Sequence, residues 1–181
     1  MNRFLILVMV LMGAIAANAQ TDRAAQRKAQ KQMEAAQDSM RHVRAVRAME
    51  EHNFVLEADQ LQFKRGRTAF VSSTTNFVSL KGDEAVVQVA SYSGGGPNGI
   101  GGITVEGRAS KIEMKTDKKG NTYFSMSVTG RGISASVRIS LYRGSNDATV
   151  DISPNFHSNR LTLKGRVLPY NQSGVFKGSS L

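Results

Sequence analysis

The chain has 181 residues, a formal net charge of +10, no cysteine and no tryptophan. The lack of cysteine excludes disulfide-stabilised scaffolds and argues against a structural zinc site and a lipid anchor on an N-terminal cysteine. We therefore expect burial and hydrogen bonding alone to stabilise the fold.

Residues 1–19 have the pattern of an export signal. The basic residue Arg3 precedes an apolar run over 4–17, and Ala17-Asn18-Ala19 is the small-x-small pattern that signal peptidases cleave. The apolar run is shorter than the roughly 20 residues of a transmembrane helix, which argues against a transmembrane anchor. We expect cleavage after Ala19 and a protein in the periplasm or secreted. There a basic chain meets lipid headgroups, glycans or envelope proteins rather than nucleic acid.

Residues 20–52 form a predicted helical or partly disordered segment, because they are rich in Ala, Gln, Arg and Met and contain no Gly or Pro. The apolar residues recur at steps of three and four and share one face: Ala29, Met33, Ala36, Met40 and Val43. We expect this face to pack against the rest of the protein. The alternative is that it docks a protein partner or an anionic surface.

From residue 53 to residue 181 the apolar period changes to two. Apolar residues alternate with polar ones between Ile133 and Leu141, as expected for a strand with one face in the core. Further strands are predicted at 54–63, 68–71, 77–80, 85–92, 102–106, 110–115, 124–128, 148–152 and 161–163, and many of the joining turns are rich in Gly, Asn and Asp. The fold class is therefore all-β with one N-terminal helix. An antiparallel meander of about eight to ten strands must close into a barrel or sandwich to protect its edges.

Two segments interrupt the strands. Residues 93–102 contain six glycines, but a strand follows them instead of the helix that a phosphate-binding loop requires. They are either a wide turn or a loop at the mouth of a cavity. Residues 153–160 are polar, and His157 in them is a lone candidate acid or base without a partner. With three scattered histidines and no catalytic motif, we expect no metal, no cofactor and no enzymatic activity.

Six runs resemble an uncharacterised family of exported proteins from gut Bacteroidales, the domain-of-unknown-function family DUF4251. They lie at 54–59, 65–69, 75–79, 96–107, 153–156 and 175–178, so the resemblance extends from about His52 to the C-terminus. The resemblance implies no particular activity. The resemblance implies a lipocalin-like β-barrel with an N-terminal helix, in the periplasm or envelope of a Gram-negative cell.

A barrel of about eight strands either fills with side chains or holds one small ligand. Val128, Val137, Ile139 and Leu163 are inward candidates that could fill it. Our hypothesis is an exported, non-enzymatic binding module for a small apolar or amphipathic ligand. The candidate rim residues are Asn76, Phe77, Asn98, Asn155, Phe156, Asn159 and Arg160. The alternative is a structural or interaction protein of the envelope that docks through its N-terminal helix.

Overall fold

The computed structural model describes residues 2–63, 66–90, 102–131, 134–155 and 160–178, and side chains from residue 23 onward. These residues form one α-helix, nine strands and a short 3-10 helix, Tyr170–Gln172. Helix α1 is Asn2–Glu50. The strands are β1 Asn53–Gln62, β2 Thr68–Phe70, β3 Phe77–Lys81, β4 Glu84–Ala90, β5 Gly102–Thr116, β6 Thr122–Gly130, β7 Ser134–Leu141, β8 Asp147–Pro154 and β9 Leu161–Pro169.

The strands form a closed antiparallel barrel. Each of β3 to β8 pairs with the next strand, and β1 pairs with both β3 and β9, so eight strands close the barrel while β2 pairs only with β1. The closing register runs from Phe54 opposite Pro169 to Gln62 opposite Thr162. The predicted fold class, an all-β meander closed into a small barrel behind one helix, is confirmed.

The chain divides into two compact units, residues 1–38 and Ser39–Leu181. Residues 2–38 are helical, and the second unit holds the end of the helix together with the barrel. Among the residues described, no helix combines the length and apolar character needed to cross a membrane.

The core fills one end of the barrel. The predicted inward residues Val128, Val137, Ile139 and Leu163 are all buried inside the barrel, with at most 1% of their surface exposed. The rings of Phe54 and Phe124 pack edge to face in the same core, with centroids 5.2 Å apart. The interior is therefore solid at this end.

The last turns of the helix belong to this core. Ala45, Ala48 and Met49 are buried in it, and His42 Nδ1 lies 2.8 Å from the backbone oxygen of Ser145 in the β7–β8 turn. Two residues of the predicted apolar face behave differently, since Met40 and Val43, in the same unit as the barrel, are more than half exposed. The expected packing is therefore wrong for these two residues. The packed residues lie further along the helix than the regular pattern indicated.

Strand β5 is one continuous strand where the sequence predicted two. Its register against β6 shifts between Ser110 and Glu113, and Lys111 adopts a left-handed φ of 51°. This irregularity behaves as a β-bulge, which bends a strand without ending it. The break predicted at 107–109 is regular strand paired with β6, and the bulge lies within the second predicted strand, 110–115.

Candidate functional site

An apolar pocket opens at the end of the barrel opposite Met49 and the filled core. Its volume is about 250 Å³, and strands β1, β4, β5, β7, β8 and β9 contribute to its walls. The lining residues are almost all apolar: Leu61, Phe63, Val87, Val89, Gly102, Ile103, Val105, Ala135, Ile152, Pro154 and Leu161. The barrel is thus filled at one end and hollow at the other.

The distribution of side-chain size along the strands produces this hollow. At the filled end, neighbouring inward positions carry large residues, such as Phe124 opposite Ile139. Towards the pocket the inward pair between the same two strands is Val128 and Ala135, and Gly102 lies in the wall without a side chain. Smaller residues leave space because the barrel diameter is set by strand number and tilt, not by side-chain volume.

The pocket contains no polar group that demands a partner. Across the described residues, no fully buried side-chain nitrogen or oxygen lacks a hydrogen bond. An unpaired polar atom in an apolar pocket would select a ligand that could satisfy it. The interior of this pocket therefore favours apolar groups.

Basic and polar side chains flank the opening. The guanidinium carbon of Arg67 lies 4.8 Å from the centroid of the Phe63 ring, a cation–π contact at the pocket wall. Arg160 is exposed and directly precedes Leu161 of the lining. Asn155 follows Pro154 of the lining, and its Nδ2 donates to Ser134 Oγ at 2.6 Å. The surroundings of the opening are therefore polar, unlike the interior.

The structure brings only some of the predicted rim residues together. Asn155 and Arg160 lie at the pocket end, as adjacent chain positions of the lining show. Asn98, Phe156 and Asn159 lie outside the described residues, as does His157.

Asn76 and Phe77 do not line the pocket. Asn76 is buried, its Oδ1 accepts from the backbone N–H of Ala90 at 2.9 Å and its Nδ2 donates to the backbone oxygen of Ser72 at 3.0 Å. Its side chain therefore holds the start of β3 in place. Phe77 is also buried, but Val78 and Leu80 are the core residues of β3, so the ring of Phe77 lies on the outer face of the barrel.

The apolar walls of the pocket were not predicted from the sequence. The predicted rim residues are mostly polar residues of the loops, whereas the lining consists of inward apolar residues near strand ends, such as Val89 and Ile103, which are paired across β4 and β5. The period of two does show that these residues face inward. It does not show that residues from six strands meet around an empty volume.

The resolved pKa shifts of carboxyl and phenol groups in the described residues occur at the other end of the barrel. In the β5–β6 turn, hydrogen bonds from the backbone and side chain of Asn121 lower the pKa of Asp117, and desolvation and the Asp117 charge raise the pKa of Tyr123. These shifts follow from the turn geometry. Within the described ranges, no three His, Asp, Glu or Cys residues are close enough to hold a metal ion.

The model of a protein family, the domain of unknown function DUF4251, matches residues 36–167. This chain belongs to the DUF4251 family. The crystal structure of a DUF4251 family protein from Bacteroides eggerthii, determined at 1.95 Å, is similar to it with 50% sequence identity and a TM-score of 0.70, and the match covers 81% of this chain and 99% of that one. No curated protein matches the chain.

Family membership confirms the resemblance drawn from the six sequence runs. The matched region begins at residue 36, earlier than the His52 expected from those runs. It therefore includes Ala45 and Met49, the helix residues that enter the barrel core. The end of the helix is part of the DUF4251 domain.

Proposed function

We propose that this DUF4251 protein is an exported, non-enzymatic binding module that holds a small apolar or amphipathic ligand in the pocket at the open end of the barrel. The observation that carries the proposal is the apolar volume of about 250 Å³ between the filled core and the polar rim. The signal pattern of residues 1–19 supports export, with the periplasm as the place of action.

The size of the pocket limits the ligand. Pockets for drug-sized molecules usually enclose about 300–1,000 Å³, so this pocket suits a smaller group such as one ring system or a short alkyl chain. Each methylene group transferred from water into the pocket contributes about 0.8 kcal/mol. A short chain therefore supplies enough free energy for reversible binding without a polar anchor inside the barrel.

A neutral fluorescent probe tests this function. N-phenylnaphthylamine is apolar, either of its two ring systems is small enough to enter the pocket, and its fluorescence rises when it leaves water. Ile103 lines the pocket yet is 42% exposed, so Ile103→Trp obstructs the opening without overfilling the core. The matched control is Phe70→Trp, because Phe70 is 79% exposed and lies on β2 outside the barrel.

We expect the unaltered protein and the Phe70→Trp variant to bind the probe alike. The Ile103→Trp variant should lose about tenfold or more in affinity, because about 1.4 kcal/mol of lost apolar burial is enough for that change. Absence of probe binding to the unaltered protein would refute the proposal. So would equal binding by both variants, since the probe would then lie elsewhere.

The exposed helix face supports a second candidate function, contact with an anionic membrane surface. Met33 and Met40 are 62% and 55% exposed, and the segment 23–47 carries seven basic and two acidic residues. A helix with an apolar stripe and basic flanks binds anionic lipid interfaces.

Flotation with vesicles of anionic phospholipid should therefore recover the protein, and deletion of residues 20–38 should abolish recovery. That deletion spares Ala45 and Met49 of the core. Unchanged recovery would exclude this role.

A further inference from the structure

We propose that the ligand of the barrel pocket is a single-chain anionic amphiphile, with its alkyl chain in the pocket and its carboxylate or similar head group between Arg67 and Arg160. This inference rests on the proposed binding function and names the chemical class of the ligand. The class follows from the position of two cationic side chains at the opening of an apolar cavity.

Arg67 is held beside the pocket by two contacts. Its guanidinium stacks over the Phe63 ring at 4.8 Å, and its backbone oxygen accepts a hydrogen bond from the N–H of Phe63 at 2.9 Å. Phe63 is itself part of the pocket wall. The charge is therefore positioned within reach of a group that emerges from the pocket along this wall.

Arg160 lies in the connection between β8 and β9, directly before β9, which pairs with β1. Gln62 of β1 pairs with Thr162 of β9, so the next residues towards the pocket end, Phe63 and Leu161, are opposite each other. Both line the pocket. Arg160 precedes Leu161, as Arg67 accompanies Phe63, and the two arginines consequently flank the same side of the opening.

The positive charge of this pair is not neutralised by described residues. Both side chains are exposed, and neither forms an ion pair with a carboxylate among the residues that the structure describes. The acidic residue nearest to Arg160 in register is Asp151, which is paired with Thr162 and accepts a hydrogen bond from Thr162 Oγ1 at 2.6 Å. Among the described residues, no carboxylate therefore competes with a ligand for these two guanidinium groups.

Apolar walls below two arginines match an amphiphile better than a neutral apolar molecule. Arginine binds carboxylates and phosphates through paired, charge-assisted hydrogen bonds, while an alkyl chain is bound by burial. A neutral ligand with the same alkyl chain would be bound by burial of that chain alone. The difference between the two ligands measures the contribution of the arginines.

The experiment compares decanoate with decanol, which share one alkyl chain and differ in charge. Each displaces N-phenylnaphthylamine from the protein lacking residues 1–19, at low salt and below the concentration at which the ligands aggregate. We expect decanoate to bind about tenfold more tightly, since hydrogen bonds between a guanidinium and a carboxylate are stronger than those to a neutral hydroxyl, and part of this gain is lost to solvent screening at an exposed site. The preference should shrink as salt is added.

The double variant Arg67→Gln, Arg160→Gln should bind both ligands equally and keep the affinity for decanol. The control double variant Lys118→Gln, Arg143→Gln removes the same charge from exposed residues in the turns at the other end of the barrel, and it should keep the preference for decanoate. Thermal melts check that each variant is folded, which we expect because all four side chains are exposed.

The outcomes separate this inference from the proposed function. If decanoate and decanol bind the unaltered protein equally, the anionic class is refuted and the binding function stands. If the probe binds but neither ligand displaces it, the single-chain amphiphile is refuted and the binding function stands. If the probe itself does not bind, the binding function fails. A decanoate preference that survives the Arg67→Gln, Arg160→Gln double variant would refute the assignment of the head group to these arginines.

Discussion

Gln88 Nε2 donates a hydrogen bond to the backbone oxygen of Phe176 at 2.7 Å and so ties the C-terminal segment to the outer face of the barrel. The same buried amide donates to the backbone oxygen of Thr75, and its Oε1 accepts from Thr104 Oγ1 and from the N–H of Gly178. All hydrogen-bonding positions of the amide are used. The C-terminal segment is therefore an integral part of the domain.

This attachment explains the burial of residues on the outside of the barrel. Val55 and Phe77 are buried although both lie outside the central core cluster. Glu57, which pairs with Phe77, accepts a hydrogen bond from Ser173 Oγ at 2.6 Å, and Phe176 N–H donates to the backbone oxygen of Thr74. The segment after β9 thus covers a second, smaller apolar layer.

Replacement of Gln88 by alanine should destabilise the protein by about 2–3 kcal/mol, because it removes four hydrogen bonds of one buried amide, three of them to part-buried backbone groups. The measurement is the free energy of unfolding in urea. Gln60→Ala is the control, since Gln60 is a partly exposed residue of β1, and such a change usually alters stability by less than about 0.5 kcal/mol. Equal losses in the two variants would show that Gln88 does not anchor the C-terminal segment.

Replacement of Gly165 by alanine should prevent proper closure of the barrel. A Cβ at this position would lie 1.9 Å from the backbone oxygen of Glu57, beside the register shift of β1. Backbone atoms on both sides must move, so we expect a loss of about 3 kcal/mol or more, at the upper end of overpacking effects. Gly174→Ala is the matched control because no atom would lie within 4 Å of its Cβ. The measurement is the melting temperature of both variants by calorimetry. Equal melting temperatures would contradict the prediction that a Cβ at position 165 disturbs barrel closure.

Replacement of Met49 by alanine should cost about 3 kcal/mol, as is usual when a buried side chain leaves a cavity. Met49 is completely buried at the filled end of the barrel. Met33→Ala, on the same helix but 62% exposed, should leave the free energy of unfolding within about 0.5 kcal/mol of the original value. If Met33→Ala were the more costly change, the helix residues that we assign to the core would be wrong.

Acid should weaken the β5–β6 turn through Asp117. Its Oδ1 accepts from the backbone N–H groups of Asn121 and Lys119 at 2.9 and 2.8 Å, and these bonds lower the pKa of the folded-state carboxyl. The stabilisation is therefore complete above the unfolded-state pKa of about 3.9 and is lost as the pH falls through the lower folded-state pKa.

The test compares melting temperatures of the unaltered protein and Asp117→Asn from neutral pH down to strongly acidic pH. The asparagine variant is neutral throughout, so the advantage of the original protein should be constant at neutral pH and should shrink below about pH 4. An advantage that stays constant over the whole range would show that ionised Asp117 does not stabilise the turn.

Sequence alone was sufficient for the strands of the barrel other than β5, which was predicted as two strands, and for the inward faces. The alternation from Ile133 to Leu141 predicts β7, and the structure buries Ala135, Val137 and Ile139 as that period requires. The Gly, Asn and Asp residues of the turns likewise predict that consecutive strands pair as antiparallel neighbours. These features are local, because a strand's period and a turn's conformation depend on residues a few positions apart.

The site required more than this local information. Asn76 and Phe77 were predicted at the rim of the pocket. The side chain of Asn76 instead forms hydrogen bonds with the backbone of Ser72 and Ala90, and Phe77 lies on the covered outer face of the barrel. The position of Phe77 could not be predicted from the neighbouring sequence, since the cover over β3 and β4 comes from Phe176 and Gly178, nearly ninety positions away from Gln88.

The amino-acid sequence by itself determined the helix, the antiparallel strands, the family and which side of each strand is apolar. Only the tertiary structure decided that Met49 enters the core while Met33 stays in solvent, and that the barrel is filled around Phe124 but hollow near Ala135. Periodicity assigns a residue to a face. Whether that face meets a side chain, a cavity or the C-terminal segment depends on which distant strands are brought together, and closure of β1 against β9 determines this.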